Sequence, residues 1–446
     1  MASAPVAASG LLPAARLPAW CLPADWPRIG AEPAPARLAW RAGQIETLSP
    51  LTGPAGDHCP WVMPTLAQAH AHLDKGYTAR RTPPRGPGLL AAIEAIVGDK
   101  QHWSEADLRR RMGLGLQGAW EAGVSVLRTH IDWPDQEAPL AWQVARALAA
   151  EWRGRVALET VALVPLRFFA DPAMASAIGA RVAASGAGAV LGGFVHTSNW
   201  NPQALACLMR AAQDHDLDLD LHIDEELDPK AQGVATAVRL ARELGMEAAI
   251  TFSHACALSA QPEDEALATL DAMARLPRPR MVTLPSTNLL LQDARPGFTP
   301  VRRGLTRVHE ARARGITVLV GSDNVQDAFC RGGSIDPMEA FLLAVHAAQL
   351  DDPFDAWSDT IARSDALARS PAPVLLGPGS PADLVCFEAR PGLAWPDLTA
   401  RRRILRGGDW LTNRQDAPWN PAALTEPNTV PDLNTLSELS TIPGKL

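Results

Sequence analysis

At 446 residues the chain is too long for one small core and suits a large α/β barrel of about 250 residues with an accessory domain. Hydrophobic content of 47% and charged content of 20% are those of a folded globular protein, and the net charge of −8 argues against nucleic acid or an anionic membrane as a partner. Six scattered cysteines without a C-x-x-C pair, no basic signal segment ahead of Pro18 and no apolar run of about 20 residues together predict a cytoplasmic protein.

In chain order, Arg37–Arg41 and Gln44–Leu48 read as two short strands about an Ala42-Gly43 turn. The apolar run Trp61–Leu66 reads as a buried strand that delivers His70 and His72 at its end. Histidines at i and i+2 on a strand share a face, so both imidazoles can reach one ion without bending the backbone. After the polar, proline-rich loop Thr82–Pro87, helices are expected near 89–98 and 104–122, the second capped by Ser104. Strands at 124–132, 156–164, 189–195, 217–222, 248–254, 280–286 and 317–323 then alternate with helices near 136–152, 171–185, 202–214, 231–244, 260–276, 306–314 and 336–349.

Eight β-α units from residue 61 to 323 predict a (β/α)8 TIM-like barrel, because closure leaves a parallel sheet without edges. A doubly wound open sheet is the alternative, and no glycine-rich phosphate fingerprint supports it. A polar helical stretch, 352–370, then leads to strands at 382–387 and 403–406. The expected organisation is residues 1–60 as the N-terminal part of a small β-domain, 61–370 as the catalytic barrel, 371–411 as the C-terminal part of the small domain, and 412–446 as an extended or disordered tail.

Barrel chemistry gathers at the C-terminal strand ends. Those ends carry His70 and His72, His130 and Asp132, His222, His254 and Asp323. Each alone is explained by core packing or helix capping; the whole set is not. Neutral imidazoles with one carboxylate suit a divalent ion such as zinc or iron, which lowers the pKa of a bound water toward ~7. No lysine lies between Lys100 and Lys230, so strands two to four cannot supply a carboxylated lysine to bridge two ions, which favours one metal. Glu225, just after His222, is placed for general acid/base work, whereas Glu226 and Asp228 read as acids that favour the next helix.

The runs His70-Ala71-His72-Leu73-Asp74-Lys75, Arg128-Thr129-His130-Ile131-Asp132, Asp220-Leu221-His222-Ile223-Asp224-Glu225, Ser253-His254-Ala255 and Gly321-Ser322-Asp323-Asn324, with the late Gly379–Val385, resemble the amidohydrolase superfamily. The resemblance covers the chain to about residue 410 and is to the branch that holds cytosine deaminase and isopropylammelide amidohydrolase. It implies that His70, His72, His222 and Asp323 bind one divalent metal, that His254 orients the attacking water, and that Glu225 shuttles a proton to the ring. The His222–Glu225 run is similar to cytosine deaminase, whereas Lys75 and Ser322-Asp323-Asn324 are similar to the triazine enzyme. The glutamine with which cytosine deaminase reads its base is missing here; Pro165 or Leu166 stands in that place, which disfavours cytosine itself.

The expected function is hydrolytic deamination of a small N-heterocycle, with hydroxide attacking an amidine carbon and ammonia leaving. Asp323 accepts the water proton, and Lys75, His130, Asp132, Pro165, Leu166, Asn324, Asp327 and Phe329 contact the substrate. Arg167, His196 and Trp200 are further candidates for the pocket. The rivals are cleavage of an exocyclic N-alkyl amine or amide at the same site, and a non-catalytic scaffold. A cytidine-deaminase type of zinc enzyme is excluded, since Pro-Cys-x-x-Cys is absent. Oligomeric state is left open, a homo-oligomer being compatible with the sequence.

Overall fold

The computed structural model describes residues 9–83, 86–367, 374–397 and 400–411. Eight parallel strands pair in chain order: Leu66–Ala71, Val124–Asp132, Ala157–Pro165, Ala189–Val195, Leu219–Ile223, Ile250–His254, Pro279–Thr283 and Thr317–Val320. The fifth and sixth are buried at every position, as parallel strands covered on both faces require. Helices follow each strand, among them Leu89–Asp99, Glu105–Glu121, Gly233–Leu244 and Pro337–Ala347. Ser104 caps the second of these by accepting from the Asp107 amide at 3.2 Å. No helix among the described residues is long and apolar enough to cross a membrane.

The barrel closes between its first and eighth strands. The Asp323 amide donates to the His70 carbonyl at 2.9 Å, and the His72 amide donates to the Asp323 carbonyl at 3.2 Å. Gly321 permits this approach, because a Cβ there would lie 2.9 Å from both the Cβ and the carbonyl oxygen of His70. Gln68 pins the same seam. Its Oε1 accepts from the Ser322 amide at 3.0 Å, and its Nε2 donates to Ser322 Oγ at 2.7 Å and to the Ile335 carbonyl at 2.9 Å.

Antiparallel sheets come from the two ends of the chain. Trp61–Pro64 pairs with Leu384–Phe387, which pairs with Arg402–Arg406. Ser9–Ala15, Ala36–Arg41 and Gln44–Pro50 form a second sheet, and a shared cluster including Ala15, Leu38, Trp40, Val62, Leu384 and Leu405 buries the faces of both.

Several boundaries differ from the sequence expectation. The run 61–66 is two strands, not one: at Thr65 the chain leaves the terminal sheet, and Leu66 starts the barrel by donating to the Gly123 carbonyl. Ser9–Ala15 was not foreseen as a strand; Pro13, which has no N–H, falls where the register slips between Leu12 and Ala15. The strand expected over 280–286 stops at Thr283, since Pro285 opens a helix that runs to Leu291. Three short helical turns, Pro353–Trp357, Ser358–Ile361 and Ser364–Ala366, occupy the expected polar helical stretch. Residues 368–373 and the expected tail over 412–446 lie outside the described residues.

Candidate active site

Strands one, five, six and eight bring four histidines and one aspartate together at the C-terminal mouth. His72 Nε2 lies 3.1 Å from His222 Nε2 and 3.2 Å from Asp323 Oδ1, and His70 Nε2 lies 3.5 Å from that same oxygen. Ligand atoms of His70, His222, His254 and Asp323 all fall within 4.8 Å of one another, as do those of His70, His72, His130 and His222. His70, His72, His222 and Asp323 are therefore mutual neighbours. His130 stands behind them, its Nδ1 3.3 Å from His70 Nε2.

Burial shapes the charge of this cluster. It lowers the pKa of His72, and pushes those of His130 and His222 well below the ordinary value, so these imidazoles are neutral at pH 7. Burial opposes ionisation of Asp323 too, but His70 and His72 outweigh it and hold its carboxyl well below the usual carboxylate range. Both Asp323 oxygens are buried without a hydrogen-bond donor. A buried carboxylate so placed is costly alone, and a divalent cation among converging imidazole lone pairs satisfies it. The donor set of three nitrogens and one oxygen fits such an ion.

Beside the cluster, Glu225 Oε1 lies 3.4 Å from His254 Nδ1. Burial first, and the charge of Asp323 second, raise the Glu225 pKa well above the ordinary value. Its protonated form is favoured by that burial and by the neighbouring negative charge. Asn288 Nδ2 is 3.1 Å from His254 Nδ1 and 3.5 Å from Glu225 Oε1, and Gln292 Nε2 donates to the Glu225 carbonyl at 3.1 Å. His254 and Asp323 both adopt left-handed backbone, with φ of 69° and 60°. Strained positions of this kind cost about 1–3 kcal/mol each and persist only where the surroundings over-determine them.

The neighbouring acids have structural work. Asp224 accepts from the Gly233 and Val234 amides at 3.0 and 2.9 Å, capping the helix Gly233–Leu244. Glu226 accepts from the Thr197 amide at 2.7 Å, and Asp228 from the Lys230 amide at 2.9 Å.

A cavity of about 380 Å³ opens over the cluster, with His72, His222, Glu225, His254 and Asp323 at its polar end and Leu89, Ile93, Ile96 and Val97 on an apolar wall. Of the residues expected to contact substrate, Lys75, Asp132, Pro165, Asn324 and Phe329 line it, as does Arg167. Lys75 Nζ binds Asp132 Oδ1 at 2.6 Å, and Lys100 Nζ binds the other oxygen at 2.9 Å.

Other expected contacts sit elsewhere. Leu166 is fully buried and outside the lining, because the strand ends at Pro165 and the chain turns into Leu166–Phe169. His130 packs against the histidine cluster rather than lining the cavity. Asp327 lies behind Asn324, accepting its Nδ2 at 2.7 Å; Ser198 and Asn199, rather than His196 and Trp200, reach the pocket.

Sequence reasoning missed Asn288, Gln292, Gln68, Ser253 and Lys100. Pro285 at a helix N-terminus was the available signal for the first two. For Lys100 it was rarity, as one of four lysines in the chain.

The amidohydrolase family matches residues 165–402, more than half of the chain. Pterin deaminase of Rhizobium rhizogenes is 37% identical over 360 residues, which cover 78% of this chain and 79% of that protein. The fold is shared with 5-methylcytosine deaminase from Klebsiella pneumoniae, at a TM-score of 0.74 and 23% identity over 91% of this chain and 99% of that one. It is also shared with N-isopropylammelide isopropylaminohydrolase from Burkholderia multivorans, at a TM-score of 0.65 and 22% identity over 90% and 98% of the two chains. The closed eight-stranded barrel, its strand-end histidines and these matches make the chain a member of the amidohydrolase family, a hydrolase of carbon–nitrogen bonds.

Proposed function

We propose that the chain is a metal-dependent aminohydrolase that removes an amino group from the amidine carbon of an N-heterocycle, and that its substrate is a fused bicycle of the pterin class. The observation that carries the reading is the pair Glu225 and Asp323 lining the polar end of the cavity, one carboxyl pushed up toward its protonated form by burial and the other held well below the usual carboxylate range. Two carboxyls whose surroundings drive their pKa values apart mark out an acid and a base. The 37% identical relative is a pterin deaminase, and the cavity of about 380 Å³ is within the range of small-molecule pockets.

His70, His72, His222 and Asp323 would hold one divalent ion, zinc or iron, which when bound acidifies water and polarises the carbon under attack. The chain's own groups then divide the proton work. Asp323 takes a proton from the attacking water, and Glu225 gives its proton to the ring nitrogen. As the intermediate collapses, the amino group takes the proton from Asp323 and leaves as ammonia, while the new hydroxyl returns a proton to Glu225 and becomes the carbonyl. His254 orients the water, and Asn288 fixes His254 and Glu225 together. Leu89, Ile93, Ile96 and Val97 exclude bulk water from the outer ring.

Ammonia release, screened over pterins, cytosine, triazines and N-alkylated triazines, tests the proposal. Pterins turning over at least tenfold faster than cytosine in kcat/KM is the expected result. The rival reading, cleavage of an N-alkyl bond, draws on the buried Lys75 beside Asp132; alkylamine release without ammonia would decide for it.

A further inference from the structure

Behind His70 the barrel interior carries polar side chains that take no part in the proton transfers above. Asp220 is fully buried. Its Oδ1 accepts from Ser253 Oγ at 2.9 Å, and its Oδ2 accepts from Arg128 Nη1 at 2.9 Å and lies 3.6 Å from His130 Nε2. Ser253 Oγ in turn is 3.0 Å from His70 Nδ1. Arg128, also fully buried, is fixed by Glu159 Oε2 at 2.9 Å and the Leu367 carbonyl at 3.0 Å.

The direction of each bond in this chain is dictated by proton count. A carboxylate paired with a guanidinium only accepts, and a serine hydroxyl has a single proton to give. The Ser253 proton therefore points at Asp220, which leaves the hydroxyl oxygen as an acceptor. The group opposite it, His70 Nδ1, must then carry a proton and donate it to the hydroxyl oxygen. That leaves Nε2 as the ring nitrogen turned to the cluster, 3.3 Å from His130 Nδ1 and 3.5 Å from Asp323 Oδ1.

We propose that Asp220 is a positioning residue which, relayed by Ser253 and anchored by Arg128, sets the tautomer of His70 and presents its Nε2 as a ligand. The proposal rests on the reading of His70 as a metal ligand only for its consequence; the hydrogen-bond relay from Asp220 through Ser253 to Nδ1 is present without the ion. Outer partners of this kind fix ring orientation, and their loss typically weakens metal binding about 10–100-fold.

Two variants read the relay differently. Ser253→Ala removes the hydroxyl and leaves the Asp220–Arg128 pair in place, so the fold keeps its buried charges. Asp220→Asn keeps a single acceptor oxygen, which Arg128 claims, so the amide NH2 faces Ser253, turns the hydroxyl proton toward His70 and selects the opposite tautomer. The measurement is a long-range proton–nitrogen correlation on metal-stripped protein labelled at its 11 histidines, with the His70 signals assigned by their disappearance in His70→Gln. Wild type should show the Nδ1-protonated pattern, Ser253→Ala a mixture, and Asp220→Asn the Nε2-protonated pattern.

Chelator competition with zinc should give dissociation constants raised about 10–100-fold in both variants, with wild-type far-UV dichroism. An unchanged Nδ1-protonated His70 in both variants, or an Nε2-protonated His70 in the wild type, overturns the proposal. If the tautomers shift as expected and the wild type takes up no zinc, the relay stands and the assignment of His70 as a ligand falls. If zinc binds while the tautomers stay fixed, the reverse holds.

Discussion

Replacing Glu225 by glutamine removes one dissociable proton and almost nothing else. The side chain is buried and its pKa is pushed up toward the neutral form, which the amide matches at nearly constant volume. Gln292 holds the backbone carbonyl of residue 225, not its side chain, and keeps that bond. The amide can still offer an N–H to a ring nitrogen, so ground-state binding is retained, but it cannot give the proton up. Loss of a general acid costs typically 10²–10⁴-fold, or about 3–5 kcal/mol at 1.36 kcal/mol per tenfold. Glu225→Gln should therefore lower kcat by at least about a hundredfold while KM and metal content stay within about threefold of wild type. The pH profile sharpens the test. Only the protonated carboxyl donates, so the wild-type rate falls as pH rises through the raised Glu225 pKa, and the residual rate of the variant should lack that limb. Ammonia release with the best substrate, followed across pH alongside elemental analysis of the same preparations, is the assay. A variant with intact metal and more than a third of wild-type kcat would refute the assignment.

Other perturbations bear on the surroundings. Asn288→Ala frees His254 and Glu225 from their shared donor and should cut kcat about tenfold or more with metal content unchanged, as read by the same two assays. Chelation should abolish ammonia release and lower the melting temperature, because Asp323 is left buried with neither oxygen satisfied; scanning calorimetry before and after zinc return checks both effects. Lys75→Met leaves Asp132 only Lys100, and should cost about 2 kcal/mol at pH 7, less than the full loss of a buried pair. Burial raises the Asp132 pKa, but the two lysines outweigh it and depress it, so this stability is present above the ordinary carboxylate range and is lost only as pH falls through the strongly depressed value; urea titrations at pH 7 and pH 5 should therefore show the same deficit in the variant. Asp327 has the opposite sign. Burial raises its pKa to about 7, so its contribution weakens as pH rises from about 4 to about 7, by at most about 1.4 kcal/mol per unit, and Asp327→Asn should flatten the stability profile in that window.

What the sequence disclosed follows from where its signals are local. Buried parallel strands are apolar runs bounded by turns, so Val124–Asp132 and Ala189–Val195 were readable to the residue. Histidine at the end of such a run is conspicuous, and His70, His72, His222 and His254 could be picked out strand by strand. Partners that act across the barrel leave no such mark. Gln68 and Ser253 occupy positions that, within a strand buried on all sides, look like any small break in an apolar run; their roles exist only once strands far apart in the chain are neighbours. The helix Pro285–Leu291 is buried at Pro285, Ser286, Thr287, Asn288 and Leu291, so it lacks the one-sided apolar stripe that identifies a helix. With the helix hidden, Asn288 and Gln292 were hidden too.

The seam of the barrel and the proposed reactive centre are built from the same residues. His70 and Asp323 meet through backbone hydrogen bonds that join the first strand to the end of the last, and their side chains meet 3.5 Å apart. Gly321 lets the two strands approach, and Gln68 locks Ser322 one residue before Asp323. The left-handed backbone of Asp323 is set at the closure by two bonds to the end of the first strand, one to the carbonyl of His70 and one from the amide of His72. The histidine pair at i and i+2 is thus more than two donors on one face. It is also the template against which the eighth strand ends, so the distance between the imidazoles and the carboxylate is fixed by barrel closure before any ion or substrate arrives.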